Sequence, residues 1–149
     1  MKLIRSATLI LALAAATGCS SVEVDARQAA MNQARELWKT ESPEDYRFTW
    51  QFSIMAGQTR TVVTVHDGKA TIGEPAGLRS RNELFLTRSG RSGTMEDVFK
   101  ILEHELAEAH AVEVRYNSEL GYPESVFVND DPNMVDEEST FRILKLQEL

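Results

Sequence analysis

Tyr46-Arg47-Phe48-Thr49-Trp50-Gln51-Phe52-Ser53-Ile54 alternates apolar and polar residues without a fault. In an extended chain successive side chains point to opposite faces. Tyr46, Phe48, Trp50, Phe52 and Ile54 therefore share one face, and Arg47, Thr49, Gln51 and Ser53 share the other. The pattern predicts a strand buried on one side and wet on the other. Antiparallel sheets are the ones that leave a face to water, so this stretch points to a sheet covered on one side only.

Downstream of it, Ala56-Gly57-Gln58 reads as a turn and residues 59–66 as a returning strand. Asp67-Gly68 is a two-residue hairpin signal, and residues 69–72 make a third strand. Upstream, Ser42-Pro43 ends a helical pattern. Asp25 with Gln28 reads as a capping box opening that helix, which is expected to run to about Lys39 with Ala26, Ala30, Ala34, Leu37 and Trp38 as its buried stripe. Residues 73–93 are rich in Gly, Arg and Ser and read as a long irregular stretch, with a short helical turn at 81–86. Thr94 with Asp97 is a second capping box. The helix it opens is expected to reach about His110, with Val98, Phe99, Leu102, Leu106 and Ala109 on one stripe. Strands follow at 112–116, at 124–128 after a Gly121-Tyr122-Pro123 turn, and at 140–146. The expected fold class is α+β: a two-layer domain with helices on one face of an antiparallel sheet, in the order α-βββ-α-βββ. The order repeats one unit, as a duplication would, although residue identity between the halves is slight.

The first 18 residues read differently. Lys2 and Arg5 precede an apolar run, and Ala16-Thr17-Gly18-Cys19 closes it. This resembles the lipobox of bacterial lipoproteins, in which the cysteine is acylated and becomes the first residue after cleavage; Ala16 stands where Leu is commoner. The uncharged run from Ser6 to Gly18 is 13 residues, short of the roughly 17 that a spanning helix needs. The expected organisation is a signal peptide at 1–18, a lipidated tether at 19–24 and one domain at 25–149. Two or more acyl chains on Cys19 would anchor the domain durably to a membrane face, close to the bilayer given so short a tether. Ser20 is not the aspartate associated with inner-membrane retention, so the resemblance implies the outer membrane, facing the periplasm, in a two-membrane envelope.

Composition narrows the partners. The chain carries a net charge of −7, which disfavours nucleic acid. Cys19 is the only cysteine, so its acylation would leave no thiol for a disulfide, zinc or nucleophilic catalysis. His104-Glu105-Leu106-Ala107-Glu108 begins like a zinc-protease motif but has Glu108 where the second His is required. His110 falls about 240° round the helix from His104 and cannot replace it. Glu105 lies near the apolar stripe, at its rim or buried with a partner. No serine-nucleophile motif or phosphate-binding glycine loop is present. The expectation is a domain that is not an enzyme and has no cofactor. Two stretches are candidate binding sites. Arg79, Arg81, Arg88 and Arg91 concentrate positive charge as a candidate partner contact. The acidic loop 129–138 offers Asp130, Asp131, Asp136 and Glu137 as candidate calcium ligands, without the residue order of an EF-hand.

Several of these segments together resemble a family of small bacterial exported proteins, domain of unknown function 6174. They are Trp38, Tyr46-Arg47-Phe48, Val63, Val65, Asp67-Gly68, residues 94–99, Val112-Glu113-Val114-Arg115-Tyr116-Asn117, Gly121-Tyr122-Pro123, Asp130 and Asp136-Glu137-Glu138. The resemblance spans about residues 34–146. It implies an exported, often lipidated protein and brings no catalytic residues with it. The leading expectation is therefore a lipid-anchored envelope domain that binds an envelope protein, through the wet sheet face or the arginine stretch. The alternative is a calcium-binding module built on loop 129–138.

Overall fold

The computed structural model describes residues 19–73, 76–77, 93–134 and 138–149. A helix, α1 (Cys19–Glu41), is followed by β1 (Tyr46–Ile54), β2 (Gly57–His66), β3 (Lys69–Ile72) and a two-residue strand, β4 (Ala76–Gly77). The second helix, α2 (Met95–Glu108), leads to β5 (Ala111–Tyr116), β6 (Pro123–Asn129) and β7 (Glu138–Glu148). The α-βββ-α-βββ order holds, with β4 added where the sequence pattern suggested only irregular chain. All pairings are antiparallel, and the sheet runs β3-β2-β1-β7-β6-β5, with β4 also paired to β2. The two meanders are thus joined through β1 and β7. A duplicated unit related by a two-fold axis through the sheet would set β5 beside β1; β7 stands there instead.

The core lies between the sheet and the helices. Phe48 and Trp50 of β1, Val63 of β2, Val126 of β6 and Phe141 of β7 have no exposed surface, and Met31 of α1 and Val98, Phe99 and Leu102 of α2 meet them from the helix layer. Trp50 stacks on Phe141, with centroids 4.8 Å apart, across the β1–β7 junction. Each such large side chain contributes about 3 kcal/mol or more through burial and close packing.

Local chemistry explains the connections. Asp67 and Gly68 both have positive φ (48° and 70°), the geometry of the tight hairpin turn that matches strand twist. Asp45 accepts from the Asp67 N–H at 3.0 Å and pairs with His66 Nδ1, fixing that turn to the start of β1. Thr94 caps α2 as expected: its hydroxyl accepts from the Asp97 N–H, and the Asp97 carboxylate accepts from the Thr94 and Gly93 N–H groups. Arg35 of α1 pairs with Glu96 and Glu103 of α2 and locks the helices together. Its guanidinium is held above its ordinary pKa, first by the hydrogen bond to Glu96 and against the penalty of burial.

Two features of α1 differ from expectation. Its backbone is helical from Cys19, so Asp25 lies inside the helix and does not cap it. No Gly or Pro interrupts residues 19–41, and extending a formed helix through such a stretch adds a hydrogen bond per residue. The buried stripe is Met31, Ala34 and Trp38, whereas Ala26 and Ala30 are exposed. Met31 offers far more apolar surface than either alanine, so the helix turns that side to the core. Among the α1 residues whose burial is described, Met31 is the first buried one, and residues 19–30 span about 18 Å of helix.

Candidate functional site

The sheet face away from the helices collects the polar halves of the alternating strands. Pairing register arranges them in rows. One row runs Arg60 of β2, Gln51 of β1, Arg142 of β7, Ser125 of β6 and Arg115 of β5. An arginine thus occupies every second strand, at a repeat of roughly 10 Å. A second row carries Val62, Thr49 and Leu144, and a third carries Ser53, Thr140, Phe127 and Glu113. Arg47 stands one row beyond Thr49, beside Thr64.

The arginines are not equivalent. Arg115 donates to Glu124 at 3.1 Å and is neutralised there, with Asn117 Nδ2 donating to the same carboxylate. Arg60 donates from Nε to Gln51 Oε1 at 2.7 Å, and Arg47 to the Thr64 hydroxyl at 3.3 Å. Among the described residues, Arg47, Arg60 and Arg142 form no ion pair. All three are exposed, yet Gln51 between two of them is 6 % exposed. The aliphatic stems of long neighbouring side chains bury such a position while their charged ends stay in water. Val62 is 44 % exposed on the same face, and a shallow recess at one end is lined by Ile54, Met55, Phe127 and Glu138. The positive charge on this face is therefore gathered in Arg47, Arg60 and Arg142, with apolar ground beside them and the exposed Glu113 and Glu138 one and two rows away, on a chain whose net charge is −7.

The residues singled out from the sequence fall elsewhere. Cys19 is the first residue of α1. Arg79, Arg81, Arg88 and Arg91, and the expected helical turn at 81–86, lie outside the described residues, as do Asp136 and Glu137. Asp130 is exposed. Asp131 Oδ1 accepts from the Asn133 backbone N–H at 2.8 Å and from its Nδ2 at 3.1 Å, an Asx turn just after β6. His104 and Glu108 are exposed on α2, and Glu105 is half-buried at the rim of its apolar stripe. Among the described residues no group of three His, Cys, Asp or Glu side chains is placed to hold a metal ion. No described helix is long and apolar enough to cross a membrane.

No local pattern in the sequence reveals the arginine row. Arg60 and Arg142 are 82 positions apart in the chain, and only the β1–β7 pairing sets them either side of Gln51. The available signal was the polar phase of each strand, which places each arginine on the wet face but says nothing of its lateral neighbours.

A family model described as a family of unknown function, DUF6174, matches residues 30–148. No curated protein matches the chain. The chain belongs to that family of unknown function, and the match spans the whole two-layer domain from the second half of α1 to the end of β7.

Proposed function

We propose that this chain is a lipid-anchored envelope lipoprotein whose domain works without catalysis, by docking a partner on the open face of its sheet. The observation that carries the reading is the exposed row of arginines, two of them free of ion pairs among the described residues, on a face turned away from the helix layer. A solvated sheet face needs polar residues, but hydroxyl side chains suffice for that. Unneutralised arginines with apolar neighbours are the composition of an interface. The signal-like stretch ending at Cys19 supports export and acylation, and α1 offers a helical reach of about 18 Å between an acylated Cys19 and the domain. In a two-membrane envelope the reading places the domain on the outer membrane, facing the periplasm, because Ser20 follows the cysteine.

Two measurements test the two halves of the proposal. Mass analysis of the mature N-terminus, with and without globomycin, should show a diacylglyceryl-modified Cys19 that the inhibitor abolishes; an unmodified thiol on a released protein removes the anchor. A photo-crosslinking residue placed at Thr49 or Val62 in living cells should give discrete adducts that the same residue at His104, on the helix layer, does not give. Equal adducts at both places remove the sheet face as the docking surface.

A further inference from the structure

Resting on that reading of the sheet face, we propose the chemistry of its partner: an acidic, amphipathic protein helix that lies along the arginine row, across the strands. Arg60 and Arg142 sit two strands apart, roughly 10 Å. Gln51 fills the gap between them and takes only the Nε donor of Arg60, and among the described residues no ion pair engages the outer guanidinium donors of these two exposed residues. Two cations without an ion pair among the described residues, about one Debye length apart, reinforce each other's potential. Carboxylates are the complementary groups, and guanidinium binds them in a two-pronged fashion.

Spacing selects the helix. Two turns of α-helix carry side chains seven residues apart at about 10.5 Å along one face, close to the arginine repeat. Same-face positions on an extended strand fall at about 6.7 and 13 Å and match neither. Between the acidic positions of such a helix, the residues three and four along face the same way. They would come to rest on Val62 and Leu144 on one side of the row and on Phe127 on the other. A bilayer is the competing polyanion. Against it, α1 packs on the opposite side of the sheet through Met31, Ala34 and Trp38, so the arginine row faces away from that helix.

The full chain, held in zwitterionic phosphatidylcholine nanodiscs, is titrated against a fluorescent helical peptide with Glu at every seventh position and Leu at the intervening third and fourth positions. Saturable binding that weakens with salt is expected. The Arg60→Glu/Arg142→Glu double variant should lose about tenfold or more in affinity, while Lys100→Glu on the helix layer leaves it unchanged. The Arg60→Gln/Arg142→Gln variant provides the same comparison without added repulsion, and an unaltered thermal transition certifies the fold of each. Equal binding by the double variants, or by a peptide with Glu at every fifth position, overturns the proposal. So does co-flotation with phosphatidylglycerol vesicles in the absence of peptide binding. Adducts at Thr49 or Val62 in cells together with failure of the peptide would retain the docking face and discard the acidic helix.

Discussion

Gly121 shows how one position can govern the joining of the two layers. Its φ is +81°, and a Cβ there would lie 2.2 Å from the Ala34 carbonyl oxygen and 3.0 Å from both Leu37 Cβ and Trp38 N. The turn before β6 therefore touches the backbone of α1, and Trp38 and Tyr122 meet edge to face beside that contact, 6.1 Å between centroids. Gly68 has nearly the same φ, +70°, with nothing near its absent Cβ. Comparing the two separates conformational strain from collision. Gly68→Ala should cost about 1–2 kcal/mol, the penalty of the left-handed backbone alone. Gly121→Ala should cost about 2 kcal/mol more, because two of the obstructing atoms are backbone and the third is a Cβ fixed to it, so none can rotate away. Urea unfolding of both variants checks the difference, and equal costs would refute the close approach. Gly121 in its Gly-Tyr-Pro context was legible as a turn, but the helix backbone against it was not.

At the scale of elements, α2 is specified locally and α1 is not. The Thr94 box forms as its spacing predicts, because every atom involved lies within three residues of the cap. Thr94→Ala should lower stability by about 1 kcal/mol, seen as a lower denaturation midpoint at unchanged slope, and Thr94→Ser should restore most of it. A further bond ties the same helix to the sheet: the Met95 N–H donates to the Tyr46 hydroxyl at 3.0 Å. In α1 the helical spacing pointed to one stripe, Ala26, Ala30, Ala34, Leu37 and Trp38, of which Ala34 and Trp38 are buried while Met31 takes the place of the two exposed alanines. The decision came from area buried against β-strand residues far along the chain. Each strand is legible on its own, since alternation is a local property. Their lateral order was not, since β1 pairs with β7 only after the whole domain has closed.

For the molecule as a whole, the tyrosines report on the closed core. Tyr46, Tyr116 and Tyr122 all have phenols pushed above their ordinary range, each chiefly by burial, and Tyr116 is pushed up to about 12. In the unfolded chain these groups ionise near 10. Between about pH 10 and 12 the unfolded state therefore holds fewer protons than the folded one, and stability must fall as pH rises. Tyrosinate absorbance should consequently appear together with loss of the far-ultraviolet helix signal, as one transition. Phenol ionisation completed near pH 10 with secondary structure intact would contradict the packing. The same closure creates the docking face, since the five-strand arginine row exists only once both meanders share one sheet.

The amino-acid sequence alone settled the class of fold, the α-βββ-α-βββ order, the wet and dry faces of the first strand and the capped start of α2. Each of these follows from periods and spacings shorter than a helical turn or two, where backbone geometry and hydrogen bonding act directly. Tertiary structure decided which strand lies beside β1, which side of α1 is buried, and that Arg60, Arg142 and Arg115 stand in one line. Those outcomes depend on contacts between distant segments, selected by the total apolar surface removed from water, and no local pattern records that sum.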